Sequence, residues 1–374
     1  MARTKSNVVV MDAQSKKYEM LSKICSSIQA KFGKESVNFL GNNKIEPIPR
    51  ISSGSRAIDK VTGGGYPLGR IIEIYGAASS GKTTSCYHAI AEAQKAYPDK
   101  WCGFVDSEYS FDAEYAANIG VNVAELVVAQ PDSGTDAFGM IQAMIEAGAS
   151  LIVVDSVAAM LPKEEAEEED YGKSSVGTQA RMMSKGLRKL TAIIGKHQCV
   201  VMFTNQTRDK VGVMYGNPET VSGGKALGYY ASIRLKISKV GVIEEGSGDN
   251  KEKTSVRTRV EAVKNKTYPP FKKEEYVIVF GKGIDNDAGV LDELIENDII
   301  HKKGGWYEYG GVNIAQGLVN LKIWLAEHQE EFEKMKQILL EKDAPVVEEQ
   351  KNEPIDAEEM TDEEIGQEVE VAEV

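Results

Sequence analysis

Residues 71–83 read IIEIYGAASSGKT, a β-branched run that leads into a loop bounded by glycines. The loop fits the pattern G-x-x-x-x-G-K-[ST], in which the glycines let backbone N–H groups close around phosphate oxygens. In that pattern Lys82 offers a point charge to the β- and γ-phosphates, and Thr83 offers a hydroxyl to Mg²⁺. The Ala-rich stretch 82–96 is typical of a helix, whose N-terminus attracts anions. The segment therefore predicts a nucleoside triphosphate site between a strand and a helix.

Strand and helix patterns alternate along the chain from this loop onward. Short apolar runs predict strands at 71–75, 101–105, 126–129, 151–154 and 199–203. Helical periodicity predicts helices between them, at 82–96, 135–147 and 183–194. This order predicts an α/β fold with a mostly parallel sheet covered on both faces. Alternating apolar and polar residues predict antiparallel strands added at one edge of that sheet, at 230–237, 256–263 and 275–280.

Two acidic residues follow predicted strands, where the active-site groups of open α/β sheets collect. Asp155 follows the apolar run 151–154 and is the expected Mg²⁺-side partner of the phosphate loop. It could also simply cap the next helix. Glu108 follows the strand predicted at 101–105 and could orient or deprotonate a water that attacks the γ-phosphate. The alternative for Glu108 is an ordinary exposed loop acid.

The net charge of −13 is concentrated at one end of the chain. Residues 343–374 hold thirteen acidic residues and one lysine, so the rest of the chain is nearly neutral. The low pI therefore does not exclude a polyanionic partner. The acidic tail lacks aromatics and is poor in large aliphatic residues, which predicts disorder. It serves either as a solubilising tail or as a polyanion mimic that competes for a basic surface.

Composition also disfavours several classes of protein. No apolar run approaches the length of a membrane span, and the N-terminal residues lack the pattern of a secretory signal. The four cysteines form no C-x-x-C pair and fit no zinc module. We expect free thiols in a reduced, cytoplasmic compartment and no contact with a membrane.

Seven segments of the chain resemble the RecA recombinase family. They are GRIIEIYGAASSGKTT (69–84), FVDSE (104–108), LIVVDSVAAMLPK (151–163), QARMMSKGLRKLT (179–191), FTNQTRDKVGVMYGNPETVSGGKALGYYASIRL (203–235), VKNK (263–266) and GGWYEYGGVNIAQG (304–317). The resemblance implies a DNA-dependent ATPase that forms a head-to-tail helical filament on single-stranded DNA. Such a filament pairs with homologous double-stranded DNA and exchanges strands in recombination and repair. Bacterial members also promote repressor self-cleavage in the SOS response to DNA damage, and filament-loading or single-strand-binding proteins are further implied partners.

The resemblance implies four parts of the chain. They are an N-terminal helix and oligomerisation segment with its linker (1–43), a RecA-like P-loop ATPase core (44–284), a small α+β C-terminal domain (285–341) and the disordered acidic tail (342–374). Helical spacing of apolar residues predicts the N-terminal helix at 16–33, ended by Gly33. That helix docks either on its own core or on a neighbouring subunit.

Roles for single residues are implied in the same way. Glu108 corresponds to the catalytic carboxylate, and Gln206 to a γ-phosphate sensor at the start of the second DNA loop. Lys264 and Lys266 correspond to cations that reach ATP across the subunit interface. Tyr115 would stack on adenine, and Asp155 would hold Mg²⁺ through water. The implied ATP and Mg²⁺ ligands are Gly76, Ser79, Ser80, Gly81, Lys82, Thr83, Thr84, Asp112, Tyr115 and Asp155.

Two DNA-binding loops are implied, at about 164–177 and 207–224. In the family, apolar side chains wedge between base triplets, and glycine backbone groups and cations contact phosphates. The corresponding residues here are Val176, Arg181, Arg208, Val211, Gly223, Gly224 and Lys225.

Some positions depart from the family pattern. Gly228 stands where a basic residue is usual, Phe280 lacks the usual Tyr hydroxyl, and Ala77-Ala78 replace a Pro-Glu pair. The first DNA loop carries an acidic run, which we expect to face solvent or a partner. Gly228 and the acidic first loop leave open an ATP-gated filament scaffold without efficient strand exchange. A related P-loop DNA motor is a separate alternative.

Overall fold

The computed structural model describes residues 2–34, 36–37, 47–167, 177–209, 219–245, 251–287 and 289–343. The chain divides into two compact units, Met1–Leu291 and Asp292–Val374. Among the described residues, no helix has both the length and the apolar character needed to cross a bilayer.

Helices and strands alternate through most of the first unit. The helices are α1 (Ala2–Phe32), α2 (Arg56–Thr62), α3 (Lys82–Ala96), α4 (Ala113–Ile119), α5 (Gly134–Glu146), α6 (Lys163–Ala166), α7 (Thr178–His197), α8 (Ala226–Tyr230), α9 (Val290–Glu296), α10 (Leu318–Glu327) and α11 (Gln329–Asp343). The strands are β1 (Arg50–Ile51), β2 (Tyr66–Pro67), β3 (Ile71–Gly76), β4 (Cys102–Asp106), β5 (Leu126–Ala129), β6 (Leu151–Asp155), β7 (Val200–Asp209), β8 (Glu219–Val221), β9 (Ile233–Glu245), β10 (Glu252–Asn265), β11 (Lys273–Val279), β12 (Gly283–Asp285), β13 (His301–Lys303), β14 (Trp306–Tyr309) and β15 (Val312–Gln316).

The central sheet confirms the predicted α/β fold. Its strands lie in the order β12-β11-β10-β9-β3-β7-β6-β4-β5, and β8 pairs with β7. From β9 to β5 every neighbouring pair is parallel, whereas β9 to β12 are joined by antiparallel pairs. β3 therefore lies near the middle of the sheet, and the phosphate loop that follows it leaves from the carboxyl edge of the parallel strands.

The antiparallel pairing predicted for β9 is correct for one of its neighbours and wrong for the other. β9 pairs in parallel with β3, through Ile72 and Ile233, and antiparallel with β10. The alternating pattern reports that one face of the strand is buried, as Leu235 and Ile237 are, but it does not specify the direction of the neighbouring strand. β9 also begins at Ile233, because the residues before it form α8.

Two other elements are longer than their sequence patterns indicate. β7 continues past the apolar run, which ends at Phe203, as far as Asp209, where Thr207 pairs with Val221 of β8. α1 begins at Ala2 and includes the predicted stretch, and it ends at Phe32, before Gly33. Both extensions contain polar residues that apolar periodicity does not detect.

Apolar side chains pack on both faces of the sheet. On one face Tyr87 and Ile90 of α3 lie in a cluster with Phe104, and on the other Ile141 of α5 and Leu187 of α7 form a second cluster. Successive residues of a strand point to opposite faces, so each central strand supplies both clusters. The phosphate loop thus joins a strand and a helix that are each fixed by a packed core.

Candidate functional site

The phosphate loop depends on glycine at both of its ends. A Cβ atom at Gly76 would lie 2.1 Å from the backbone oxygen of Ile237 in β9. Gly81 has a φ of +94°, and a Cβ there would lie 2.3 Å from Cδ1 of Ile278. Glycine is therefore required at position 76 by the backbone of β9, and at position 81 by a backbone conformation that residues with a side chain rarely adopt.

Gly76→Ala is expected to destabilise the fold by about 1–3 kcal/mol, because β9 must move away from β3 to admit the methyl group. Thermal unfolding measures the change. Gly139→Ala is a matched control, since a Cβ at this α5 position has nothing within 4 Å and the exchange favours a helix. Equal unfolding temperatures for the two variants would contradict the steric argument.

Lys82 lies beneath the loop and is 8% exposed. Its Nζ donates hydrogen bonds to the carbonyl oxygens of Gly76, at 3.3 Å, and Ala77, at 2.8 Å. Burial lowers the pKa of the Lys82 ammonium, and the nearby Asp155 and Glu108 carboxylates oppose that shift. The lysine is thus a cation held at the loop by neutral acceptors, which a phosphate oxygen would outcompete.

Asp155, the last residue of β6, faces the start of α3. Its Oδ2 accepts a hydrogen bond of 2.7 Å from Oγ1 of Thr83, and its Oδ1 accepts one from Oγ1 of Thr204. Burial raises the pKa of the Asp155 carboxyl, and the two threonine hydrogen bonds oppose that shift. A hydroxyl and a carboxylate side by side are the oxygen ligands that Mg²⁺ takes beside phosphates.

Glu108 lies at the same edge of the sheet, one strand away. Its backbone N–H and that of Ser107 donate to the carbonyl oxygen of Asp155, at 3.3 and 2.8 Å. Its Oε1 accepts hydrogen bonds from Oγ of Ser156 and from Nε2 of Gln206, the latter at 3.1 Å. The carboxylate therefore has a defined position, and Gln206 connects it to the region that begins at residue 207.

The loop that carries Glu108 is fixed from beneath by Asp106. This carboxylate is completely buried and accepts hydrogen bonds from the backbone N–H groups of Ser110 and Phe111. It also accepts one from Nε2 of Gln130. Three donors hold one buried acid, so the strand end presents Glu108 with little freedom.

An open cleft of about 560 Å³ lies beside the phosphate loop. Its walls are formed by Ser79, Ser80, Gly81, Lys82, Thr83, Thr84, Asp112, Glu114, Tyr115, Asn118, Val256, Ile278, Phe280 and Gly281. Tyr115 is fixed there by a 3.0 Å hydrogen bond between its hydroxyl and Oγ1 of Thr84. Asp112 caps α4 by accepting a hydrogen bond from the N–H of Tyr115. Phe280, 51% exposed, belongs to the same wall as Ile278.

The cleft fits a nucleoside triphosphate. The Oγ of Ser80 is buried and has no hydrogen-bond partner among the residues that the structure describes. An acceptor or donor on a ligand at the loop would satisfy that hydroxyl. The exposed ring of Phe280 is available for a base.

Lys264 and Lys266 do not line this cleft as the described residues form it. Nζ of Lys264 donates to the carbonyl oxygens of Gly228, at 2.7 Å, and Tyr229, at 3.0 Å. Burial lowers the pKa of Lys264, and the neighbouring cations Lys266 and Arg234 add to that shift. Among the described residues, the hydrogen-bond partners of the Lys264 ammonium are therefore the carbonyl groups of α8.

The candidate DNA contacts are only partly described. Val176 and Val211 lie outside the described residues, and of Arg208 only the backbone, paired with Thr220, is described. Arg181 and Lys225 are exposed, at the starts of α7 and α8. Gly223 and Gly224 connect β8 to α8 with φ of +77° and +76°.

Close packing also disfavours a side chain at Gly223 and at Gly224. A Cβ at Gly223 would lie 2.7 Å from Cγ1 of Val157, and one at Gly224 would lie 3.0 Å from Cβ of Ala180. Of the acidic run, Glu164 and Glu167 are exposed, as the sequence predicts, whereas Glu165 accepts a hydrogen bond from Thr178.

Sequence reasoning missed several polar residues that support this site. Ser156 and Thr204 hold the two acidic groups, and Asn205 holds the backbone of Gln206 through a 2.9 Å hydrogen bond. Each follows or ends an apolar strand run, at the carboxyl edge where Asp155 also lies. That shared position was the available signal for Ser156 and Thr204.

Comparisons with known proteins agree with this architecture. A family model described as the RecA N-terminal domain matches residues 19–285, and one described as the RecA C-terminal domain matches residues 288–343. Protein RecA of Bordetella petrii is 46% identical over 321 residues, which cover 85% of this chain and 88% of that protein. Protein RecA of Prochlorococcus marinus is 45% identical over 323 residues, which cover 86% and 83% of the two chains.

The solved structures include a crystal structure of the RadB recombinase. It aligns with a TM-score of 0.47 and 22% sequence identity, over 63% of this chain and 98% of that one. The two matched family models together extend from residue 19 to residue 343, across both compact units. The chain therefore belongs to the RecA family of recombinases, which are DNA-dependent ATPases.

Proposed function

We propose that ATP binds in the cleft beside the phosphate loop and that Glu108 removes a proton from the water that attacks its γ-phosphorus. The observation that carries this assignment is the hydrogen bond between Gln206 and Glu108, because it connects the acid to the first residues of a candidate DNA loop. The products are ADP and phosphate, and the proton leaves through the Glu108 carboxylate.

Different residues around the cleft bind the phosphates, the adenine and Mg²⁺. Lys82 neutralises charge on the β- and γ-phosphates, and Tyr115 and Asp112 hold the adenine end. Thr83 and Asp155 would hold Mg²⁺, which supplies further neutralisation of the phosphate charge when bound. Their hydroxyl and carboxylate oxygens, 2.7 Å apart, support that assignment.

Gln206 gives the site a means to sense its ligand. Its amide donates to Glu108 in this structure, and a γ-phosphate oxygen would compete for the same donor. Release of Glu108 from that hydrogen bond makes the carboxylate a better base at the moment when substrate is present. When the side chain of Gln206 moves, the start of the second loop moves with it.

Lys264 and Lys266 serve the nucleotide of a neighbouring copy. They do not line the cleft that the described residues of their own copy form, which supports a head-to-tail assembly in which each interface completes one site. α1 exposes Met20, Ile24 and Phe32, which offers an apolar surface to a neighbour. Repetition of one such interface produces a helical filament rather than a closed dimer.

DNA lies along the two loops, at 164–177 and 207–224, with Arg181, Lys225 and the backbone of the two glycines toward its phosphates. Contact with the backbone suits a protein that must accept any sequence, because base pairing between the bound strand and a homologous duplex supplies the specificity. Repressors, loading proteins and single-strand-binding proteins are proposed partners of such a filament in the cytoplasm. The acidic tail from 344 onward lies outside the described residues, and its competition for a basic surface stays a prediction.

The rate of ATP hydrolysis is expected to rise sharply with single-stranded DNA and to fall as salt is added. The test measures phosphate release against DNA and salt concentration. Arg181→Gln should reduce the salt slope of DNA binding by about one, because one phosphate contact is lost. Lys196→Gln, at the exposed far end of the same helix, is the matched control. A hydrolysis rate that does not change when DNA is added would contradict the proposed DNA-dependent ATPase site.

A further inference from the structure

Glu73 is a buried acid for which the reaction described above has no use. It lies on β3 between β7 and β9, and its exposure is 0%. Its Oε2 accepts a hydrogen bond from Nε of Arg234, and its Oε1 accepts one of 3.3 Å from Nδ2 of Asn205. A buried ion pair adds little stability compared with apolar residues of similar size, so stability alone is a weak explanation for its presence.

On one side Glu73 reaches the base of the second candidate DNA loop. Nδ2 of Asn205 also donates to the carbonyl oxygen of Ser222, at 3.1 Å, and Oδ1 of Asn205 accepts from the N–H of Gln206. Asn205 precedes that loop and Ser222 lies near its end. A single amide, held by Glu73, therefore fixes both ends of the loop.

On the other side Glu73 is connected, through Arg234, to the residues that hold Lys264. The guanidinium of Arg234 lies over the ring of Tyr75, at 4.9 Å, and beside Gly228. A Cβ at Gly228 would lie 3.2 Å from Cζ of Arg234, so glycine there leaves the guanidinium its place. The carbonyl oxygen of Gly228 then accepts the hydrogen bond from Lys264.

We propose that Glu73 is a positioning residue that transmits DNA binding at the second loop to Lys264. The contacts form one continuous chain from Ser222 through Asn205, Glu73 and Arg234 to Gly228 and Lys264. A shift of the loop ends on DNA moves Asn205, and the shared carboxylate passes that shift to Arg234 and to the carbonyl that holds Lys264. The inference rests on the proposed function, because it takes Lys264 as the cation for the neighbouring ATP.

The test compares the ratio of DNA-stimulated to DNA-free ATPase rates in full-length variants. Glu73→Gln removes the charge that holds Arg234 and should lower this ratio by about tenfold. DNA binding, measured by fluorescence anisotropy of a labelled oligonucleotide, should weaken by much less. Glu275→Gln is the matched control, since it breaks an exposed ion pair with Arg259 and should keep the wild-type ratio.

Glu73→Gln leaves a partly buried cation without its partner, and the single variant could therefore misfold. A second variant controls for that outcome. Glu73→Gln combined with Arg234→Met leaves no unpaired charge and should show the same loss of stimulation. A folded double variant with the wild-type ratio would overturn the inference. Wild-type protein that DNA does not stimulate would instead overturn the proposed function, so the two failures are distinguishable.

Discussion

Glu108→Gln is expected to slow ATP hydrolysis by about 10²–10⁴-fold while ATP and single-stranded DNA still bind. A carboxamide has the shape of the carboxylate and keeps an oxygen that accepts from Ser156 and Gln206. It does not accept a proton at neutral pH. The substitution therefore preserves the position of the side chain and removes only its action as a base.

Phosphate release at saturating DNA measures the rate, and a fluorescent ATP analogue measures binding. Glu125→Gln, at an exposed position beyond α4, provides the control for loss of one negative charge. Its rate should equal that of the wild type. Full turnover by Glu108→Gln would remove this residue from the reaction and leave its hydrogen bonds as structural.

Lys264→Ala combined with Lys266→Ala is expected to lower the DNA-stimulated rate by about 10³-fold. A cation supplied by a neighbouring copy stabilises the charge that develops on the transferred phosphoryl group. The loss should affect the rate far more than ATP binding, because neither lysine lines the cleft formed by the described residues of its own copy.

The matched control replaces two exposed lysines near the other end of β10, Lys251 and Lys253, with Ala. That control removes the same charge at the opposite end of the same strand and should keep nearly the full rate. Nearly full activity of the Lys264 and Lys266 variant would contradict their proposed role, whatever its effect on filament length.

The phosphate loop was predictable because its chemistry is contiguous in the sequence. Gly76, Gly81 and Lys82 lie within one short segment, and each residue type has a physical reason to be there. Asp155 and Glu108 were predictable because each follows an apolar run, and strand ends meet at one edge of a parallel sheet. Their hydrogen bonds to Thr83 and Gln206 depend on tertiary contacts.

The Glu73 network was not predictable from local pattern. Its partners Asn205 and Arg234 are 132 and 161 residues away in the chain, on the two strands that flank β3. The strand IIEIY predicted a buried β3, but a single acid within it carries no signal about its partners. The parallel pairing of β9 with β3, which sequence alternation did not reveal, is what brings Arg234 to Glu73.

The most direct test of the account mixes two inactive proteins, Glu108→Gln and the Lys264→Ala, Lys266→Ala variant. If each active site combines Glu108 of one copy with the lysines of the next, random mixing in equal amounts makes about a quarter of the interfaces complete. We expect DNA-stimulated ATPase activity to return to about that fraction of the wild-type rate. A mixture that stays as inactive as its two components would contradict a nucleotide site shared between neighbouring copies.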